Sequence, residues 1–155
     1  MPNVLTSIHI EAGDIKKVFK EYPTLNSFGF GVFDSGVISK VEVAKQIVTG
    51  QSYIVENLQE VRLVASILLS INKRQSINTK LSSYRLKHWV ERLFNGPTSY
   101  AGYPVYISNG SFIVAAILMG FNIKREHGSP SAWFNVSSKS IDNVTQNFNQ
   151  MFFQI

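Results

Sequence analysis

Apolar residues recur three and four positions apart in six separated stretches of the chain, which is the spacing that lines one face of a helix. This spacing predicts helices over residues 14–22, 39–50, 57–71, 84–94, 111–119 and 141–155. Helix 111–119 is apolar nearly all round, as is typical of a helix buried in a core. The remaining helices carry an apolar stripe, so we expect them to pack around that core.

The predicted helix ends are marked by residues that satisfy free backbone groups. Ser39 and Glu42 have the spacing of a capping box at the start of helix 39–50, and Gly50 is expected to end that helix. Further caps are predicted at Asp14, at Ser82 or Ser83, and at Ser108 or Asn109.

Shorter stretches with alternating apolar and small or polar residues predict strands. We expect strands over residues 4–10 and 27–36, the second ending in a turn at 34–36, and a hairpin of 121–125 with 132–136. The polar stretch 72–79 is predicted to be a linker. Together these elements predict one α+β domain over residues 1–155, with subdomains 1–71 and 78–155. The second subdomain combines two helices and a hairpin in a winged-helix-like order.

Composition narrows the chemistry that the chain can support. Its 155 residues suit one domain, and they include no cysteine. This excludes a disulfide scaffold, a Cys-ligated metal and thiol catalysis. The longest apolar run, residues 112–119, is too short to span a membrane, and the N-terminus lacks a signal-peptide pattern. We therefore expect a soluble protein of the cytoplasm.

Positive charge is concentrated in one segment. Residues 72–92 contain six basic side chains and one acidic one, a net charge of +5 that equals the net charge of the whole chain. Residues 1–71 have a net charge of −1, and residues 93–155 a net charge of +1. The chain is therefore a near-neutral protein with one basic segment, which predicts a local binding surface rather than a diffuse one.

Helix 84–94 carries three of the six basic side chains of this segment. On a helical wheel, one flank of its polar face presents Arg85, His88 and Arg92, and the other flank presents Tyr84, Lys87 and Glu91. Cations beside aromatic rings suit phosphate contacts combined with base stacking. The candidate residues for binding nucleic acid or a partner are Lys73, Arg74, Lys80, Tyr84, Arg85, Lys87, His88, Arg92, Lys124, Arg125 and His127. The alternatives are a solvated helix face and a surface for an acidic protein.

The apolar character of helix 111–119 limits the kind of nucleic-acid contact. In a winged helix this second helix would read base edges, but it has almost no donor or acceptor for them. Backbone and shape contacts should therefore dominate. Trp89 is expected in the core. Of Trp133 and Phe134, one should face outward beside the hairpin.

Catalytic and metal signals are weak. His9, His88 and His127 are far apart in the sequence and have no metal-ligand spacing, and His9 is expected to be a partly buried strand residue. Gly29 and Gly31 do not complete a dinucleotide-binding loop, because the third glycine is missing. We expect no catalytic residue, no metal and no cofactor. An enzyme with dispersed residues around His88 is the remaining catalytic alternative.

Three strings stand out in the C-terminal half: SSYRLKHWVE, YISNGSFIVAAILMGFNIKR and SPSAWFNVSSKSI. Through these strings, residues 78–141 show a resemblance to a family of small accessory proteins of bacteriophages, plasmids and prophages. Its positions are Ser83, Tyr84, Leu86, Lys87, His88, Tyr106, Ser108, Asn109, Gly110, Phe112, Ile113, Ala115, Ala116, Gly120, Phe121, Phe134 and Asn135. Arg85 stands where this family has a glycine. The resemblance implies a mobile-element protein in a bacterial host cell, and it implies no catalytic role.

The sequence therefore predicts a non-enzymatic binding module. Its basic helix, together with the hairpin residues Lys124 to His127, would dock on nucleic acid or on a nucleic-acid-loaded host complex. The alternative, implied by the mobile-element context, is an anti-CRISPR-like inhibitor that contacts a host defence protein directly. The basic helix does not account for the function of residues 1–71, which needs a separate explanation.

Overall fold

A computed structural model describes residues 8–33, 36–96 and 104–152 of the chain. The predicted α+β class is confirmed. In chain order the elements are α1 (Ala12–Glu21), β1 (Leu25–Asn26), β2 (Gly29–Phe30), α2 (Lys40–Glu56), α3 (Leu58–Leu68), β3 (Lys73–Ser82), α4 (Ser83–Phe94), α5 (Asn109–Leu118), β4 (Ile123–Arg125), β5 (Ala132–Val136) and α6 (Ser138–Phe152).

Two antiparallel sheets accompany the helices. Strands β1 and β2 form a small hairpin, and the second sheet has the order β3-β5-β4. The predicted hairpin of β4 and β5 is therefore confirmed. The linker predicted over residues 72–79 is wrong, because most of it belongs to β3, which pairs with β5. Polar side chains are tolerated there because β3 is an edge strand with most of its residues exposed.

Helix α5 lies at the centre of the core, as its uniformly apolar sequence predicts. Its residues Asn109–Ala116 are buried, and it packs against α1, α3, α4 and the β1–β2 hairpin. The contact with α3 joins residues of the two predicted subdomains. Val61 and Val64 of α3 and Phe112 and Ile113 of α5 are all buried, each with no exposed surface.

Serine caps are confirmed at three helix starts. The hydroxyls of Ser39, Ser82 and Ser108 accept hydrogen bonds from the backbone N–H groups three residues ahead. Asp14 is not a cap, because α1 begins earlier and the Asp14 carboxylate instead accepts from the N–H of Glu11 at 2.8 Å.

Two of the predicted boundaries in the N-terminal half are wrong. Helix α2 does not end at Gly50, which is buried inside it, but continues to Glu56. A Cβ at Gly50 would lie 2.6 Å from Oδ1 of Asn26, so glycine here permits close packing on β1. The strand predicted over 27–36 is replaced by β1, β2 and the turn between them, and Asp34 and Ser35 of its predicted turn lie outside the described residues.

His9 is also placed differently from its prediction. The strand predicted over residues 4–10 falls mostly outside the described residues, and residues 8–10 belong to no strand. The side chain of His9 is 86% exposed, and its Nε2 lies 3.0 Å from the Glu11 carboxylate. The neighbouring Ile10 supplies the buried contact, since it is 5% exposed.

A backbone contact fixes the β1–β2 hairpin against the start of α5. The N–H of Gly110 donates to the carbonyl of Ser27 at 3.0 Å. The side-chain amide of Asn109 donates to the carbonyl of Phe28 at 3.1 Å. A Cβ at Gly110 would lie 1.9 Å from the Asn26 carbonyl oxygen, so only glycine fits at this contact.

Candidate nucleic-acid interface

One flank of α4 borders a surface groove of about 320 Å³. Arg85, His88 and Arg92 all line this groove, as the helical wheel predicts for one flank, and Trp89 contributes to its wall. The indole N–H of Trp89 donates to the Thr145 hydroxyl of α6 at 2.8 Å. Trp89 is only 7% exposed, which confirms the prediction that it belongs to the core.

A second depression of about 540 Å³ continues the groove between α4 and α6. Both depressions are lined by Trp89 and Arg92, so they adjoin each other along α4, and together they are called the α4–α6 groove below. Its α6 wall is formed by the polar, uncharged residues Thr145, Gln146, Asn147, Asn149 and Gln150, with Phe148 among them. Among the residues that line the two depressions, none is acidic.

The start of α4 gathers further cationic residues. A guanidinium nitrogen of Arg85 donates to the carbonyl of Lys80 at 3.1 Å, which holds Arg85 over the end of β3. The cap residue Ser82 is paired with Trp133 of β5, and Trp133 is paired with Lys124 of β4. Directly opposed residues of antiparallel strands share a face, so Lys124 lies about 10 Å from Ser82 across the sheet.

Of the two neighbouring aromatic residues on β5, one faces the core and one does not. Phe134 has no exposed surface, whereas Trp133 is partly exposed on the face that carries Lys124. The prediction that one of the pair faces outward is confirmed.

Lys87 does not lie on an exposed flank of α4, so its predicted placement is wrong. Its side chain is only 7% exposed, and its Nζ lies 3.6 Å from the Glu91 carboxylate. The ammonium group also sits over the rings of Tyr84, at 5.4 Å, and Tyr106, at 4.9 Å. Such contacts compensate a buried cation, so Lys87 is engaged inside the fold and is not free to bind phosphate.

Glu91 joins α4 to the segment that precedes α5. Its carboxylate accepts from the backbone N–H of Ile107 at 3.0 Å and lies 2.8 Å from Nδ1 of His88. These contacts orient His88, whose side chain is 39% exposed. The Tyr84 ring packs edge-on against the His88 ring with centroids 4.6 Å apart. The wheel's placement of Tyr84 on the opposite flank is wrong, because Tyr84 lines the groove together with Arg85 and His88 and is 53% exposed.

A second carboxylate supports the same segment from α3. Glu60 accepts from the backbone N–H of Ser108 at 2.7 Å and from the Tyr53 hydroxyl at 2.6 Å. Burial and the hydrogen bond to Glu60 raise the pKa of Tyr53 well above its ordinary value. Burial of part of the side chain, followed by the Glu60 and Glu91 carboxylates, raises the pKa of Tyr106. Both tyrosines therefore stay neutral at physiological pH.

The remaining candidate residues are not brought to the groove. Lys73 and Arg74 lie at the opposite end of β3 from α4, and Nζ of Lys73 sits 5.0 Å from the Phe121 ring centroid. The Arg125 guanidinium stacks on Phe30 of the N-terminal hairpin, 4.2 Å from the ring centroid. His127 is exposed in the turn between β4 and β5. The candidate binding residues predicted from the sequence therefore lie on several separate surfaces.

The polar wall on α6 is the functional feature that sequence reasoning missed. The stretch from Thr145 to Gln150 reads as an ordinary solvated helix face, since its amide residues carry no charge. Four amide residues around the apolar Phe148 were an available signal, but only the packing of α6 on Trp89 shows which groove they face.

Two features are absent from the described residues. They contain no group of three or more His, Cys, Asp or Glu side chains that could hold a metal ion. Within residues 8–33, 36–96 and 104–152, no helix is both long enough and apolar enough to cross a membrane.

Most positions that carry the predicted family resemblance serve the fold. Ser108 caps α5, Gly110 contacts the Asn26 backbone, and the Ser83 hydroxyl accepts from the N–H of Ala132 at 3.0 Å. Among the exceptions are the exposed Tyr84 and the partly exposed His88, which lie at the α4–α6 groove. The resemblance itself stays a prediction. Comparison of the chain with protein-family models, with curated proteins and with solved structures finds no match.

Proposed function

We propose that the protein binds the phosphate backbone of a nucleic acid in the α4–α6 groove and acts by binding rather than by catalysis. The observation that carries this proposal is the row of Arg85, His88 and Arg92 along one groove without an acidic lining residue. Two exposed guanidinium groups suit the oxygen atoms of phosphates, since each can donate two parallel hydrogen bonds.

Residues at the start of α4 extend the same surface. Lys80 lies beside Arg85, and Lys124 is reached across the sheet through Trp133. The exposed ring of Tyr84 offers a stacking surface next to these cations. Lys73, Arg74 and Arg125 lie elsewhere, so the proposed interface is smaller than the basic segment of the sequence.

The test is a salt series with a fluorescently labelled 30-nucleotide strand of mixed sequence, as DNA and as RNA, read by anisotropy. Each phosphate contact to a single strand contributes about −0.7 to the slope of log affinity against log salt. We therefore expect the double variant Arg85→Ala/Arg92→Ala to bind more weakly, with a slope shallower by about 1.4.

The matched control removes two positive charges elsewhere. Lys16 and Lys17 are exposed on α1, so Lys16→Ala/Lys17→Ala changes the net charge equally without touching the groove. An equal loss in this control would show that binding follows overall charge and would overturn the proposal. Failure of the wild type to bind either strand at about 50 mM salt, where phosphate contacts are strongest, would do the same.

The alternative function, direct inhibition of a host defence protein, stays a prediction. A pull-down from a bacterial lysate treated with nuclease tests it, because a partner recovered only without nuclease is bridged by nucleic acid. Recovery of no protein after nuclease treatment would count against direct inhibition.

A further inference from the structure

We propose that the α6 wall of the groove contacts the bases of a single strand, so that the groove selects unpaired nucleic acid over duplex. This inference rests on the proposed function, since it requires the phosphates to lie along α4. It begins from the lining of the groove: the amides of α6 line the same depression as Arg92, and Arg85 and His88 line the adjoining depression together with Arg92.

The amides that carry this inference are Gln146 and Gln150. They stand on either side of Asn147 on α6, and both line the same depression. Both residues are exposed and line the groove. Neither side-chain amide has a hydrogen-bond partner among the described residues. A glutamine amide has two donor hydrogens and an acceptor oxygen, which match the donors and acceptors on base edges.

Neighbouring contacts hold this wall in place. The hydroxyl of Thr145 accepts from the Trp89 indole and donates to the carbonyl of Ile141 at 2.8 Å, so it fixes α6 against α4. Asn147 has non-helical backbone angles, and its side-chain amide donates to the carbonyl of Asn143 at 3.0 Å. The helix is therefore kinked between Gln146 and Gln150, which changes the direction of the wall partway along the groove.

An unpaired strand fits the two sides better than a duplex does. In a duplex the Watson–Crick edges are already paired, and a bound side chain can reach bases only through the grooves. In a single strand the bases can point away from the backbone and meet amides on the side opposite the phosphates. The absence of charge among the lining residues of α6 fits bases rather than a second row of phosphates.

The experiment measures a normal 12-nucleotide strand, an abasic strand of the same length and a matching duplex by anisotropy over one salt series, and it compares their affinities at the same salt concentration. We expect the normal strand to bind at least tenfold more tightly than the abasic strand, and more tightly than the duplex. Each lost base stack or base-edge contact is worth about 1–3 kcal/mol, so a tenfold change corresponds to about one contact.

The variant Gln146→Ala/Gln150→Ala should lose several-fold affinity for the normal strand. It should leave both the affinity for the abasic strand and the salt slope of the normal strand unchanged. The matched control is Gln46→Ala/Gln59→Ala, which removes two exposed glutamines from α2 and α3. This control should bind all three ligands like the wild type.

The outcomes separate the two proposals. If no ligand binds, or if the α4 variant keeps its salt slope, the proposed function fails. If the abasic strand binds as tightly as the normal strand, backbone binding stands and the base contact is overturned. If the duplex binds at least as tightly as the normal strand, the selection of unpaired nucleic acid is overturned. If Gln146→Ala/Gln150→Ala leaves binding of the normal strand unchanged, the assignment of these two amides is overturned.

Discussion

At the scale of single residues, glycines that look alike in the sequence have opposite roles. Gly110 lies where a Cβ would meet the backbone of Asn26, whereas a Cβ at Gly13 on α1 would have nothing within 4 Å. A sequence cannot separate these cases, because the difference comes from a hairpin more than eighty positions away. The cap at Ser39 was predictable, since the S-x-x-E pattern is local.

Substitution of these two glycines tests that contrast. Gly110→Ala forces the β1–β2 hairpin away from α5 and should lower the free energy of unfolding by about 3 kcal/mol, the upper part of the usual range for overpacking. Gly13→Ala lies in an open helical position and should raise it by about 0.5 kcal/mol. Urea denaturation measures both. A Gly110→Ala protein as stable as the wild type would show that this contact does not constrain the fold.

At the scale of elements, α4 has two different flanks. The wheel correctly predicts that Arg85, His88 and Arg92 share a flank, because this follows from helix geometry alone. It also predicts an accessible Lys87, which is wrong because Tyr106 and the segment before α5 cover that side of the helix. Long-range packing of this kind leaves no periodic signal in α4 itself.

The buried pair of Lys87 and Glu91 gives a test at this scale. Glu91→Ala leaves the Lys87 ammonium and the Ile107 N–H without their partner and should cost about 3 kcal/mol of stability. The double variant Lys87→Met/Glu91→Gln removes the charge together with its partner, and the amide oxygen can still accept from Ile107. The double variant should therefore lose less stability than Glu91→Ala does. Thermal or urea unfolding of both variants decides this, and the opposite order would exclude a buried ion pair.

At the scale of the whole molecule, contacts cross the boundary between the two predicted subdomains. Helix α3 packs on α5, Glu60 accepts from the Ser108 N–H, and Gly110 donates to the Ser27 carbonyl. The predicted class and hairpin are confirmed because each depends on local pattern. The prediction of a linker over residues 72–79 is wrong because β3 pairs with β5, which is distant in the sequence. An exposed edge strand lacks the pattern of buried positions that would reveal such a pairing.

These crossing contacts predict a single unfolding transition. Both tryptophans, Trp89 and Trp133, belong to the C-terminal half, so their fluorescence follows that half, whereas circular dichroism at 222 nm follows helices of both halves. The two signals should coincide in a urea titration. Separate midpoints would show that residues 1–71 and 78–155 unfold independently.

In the strand order β3-β5-β4, neither outer strand of that sheet has a partner strand on its outer side among the described residues. Exposed edges of this kind invite hydrogen bonding with the strands of other molecules, and lysine or arginine side chains discourage it. Lys73, Arg74 and Lys80 lie on one outer strand, and Lys124 and Arg125 on the other. Part of the positive charge of this chain therefore protects it from self-association in the crowded cell, so neutralising these positions would lower its solubility even if no ligand ever touched them.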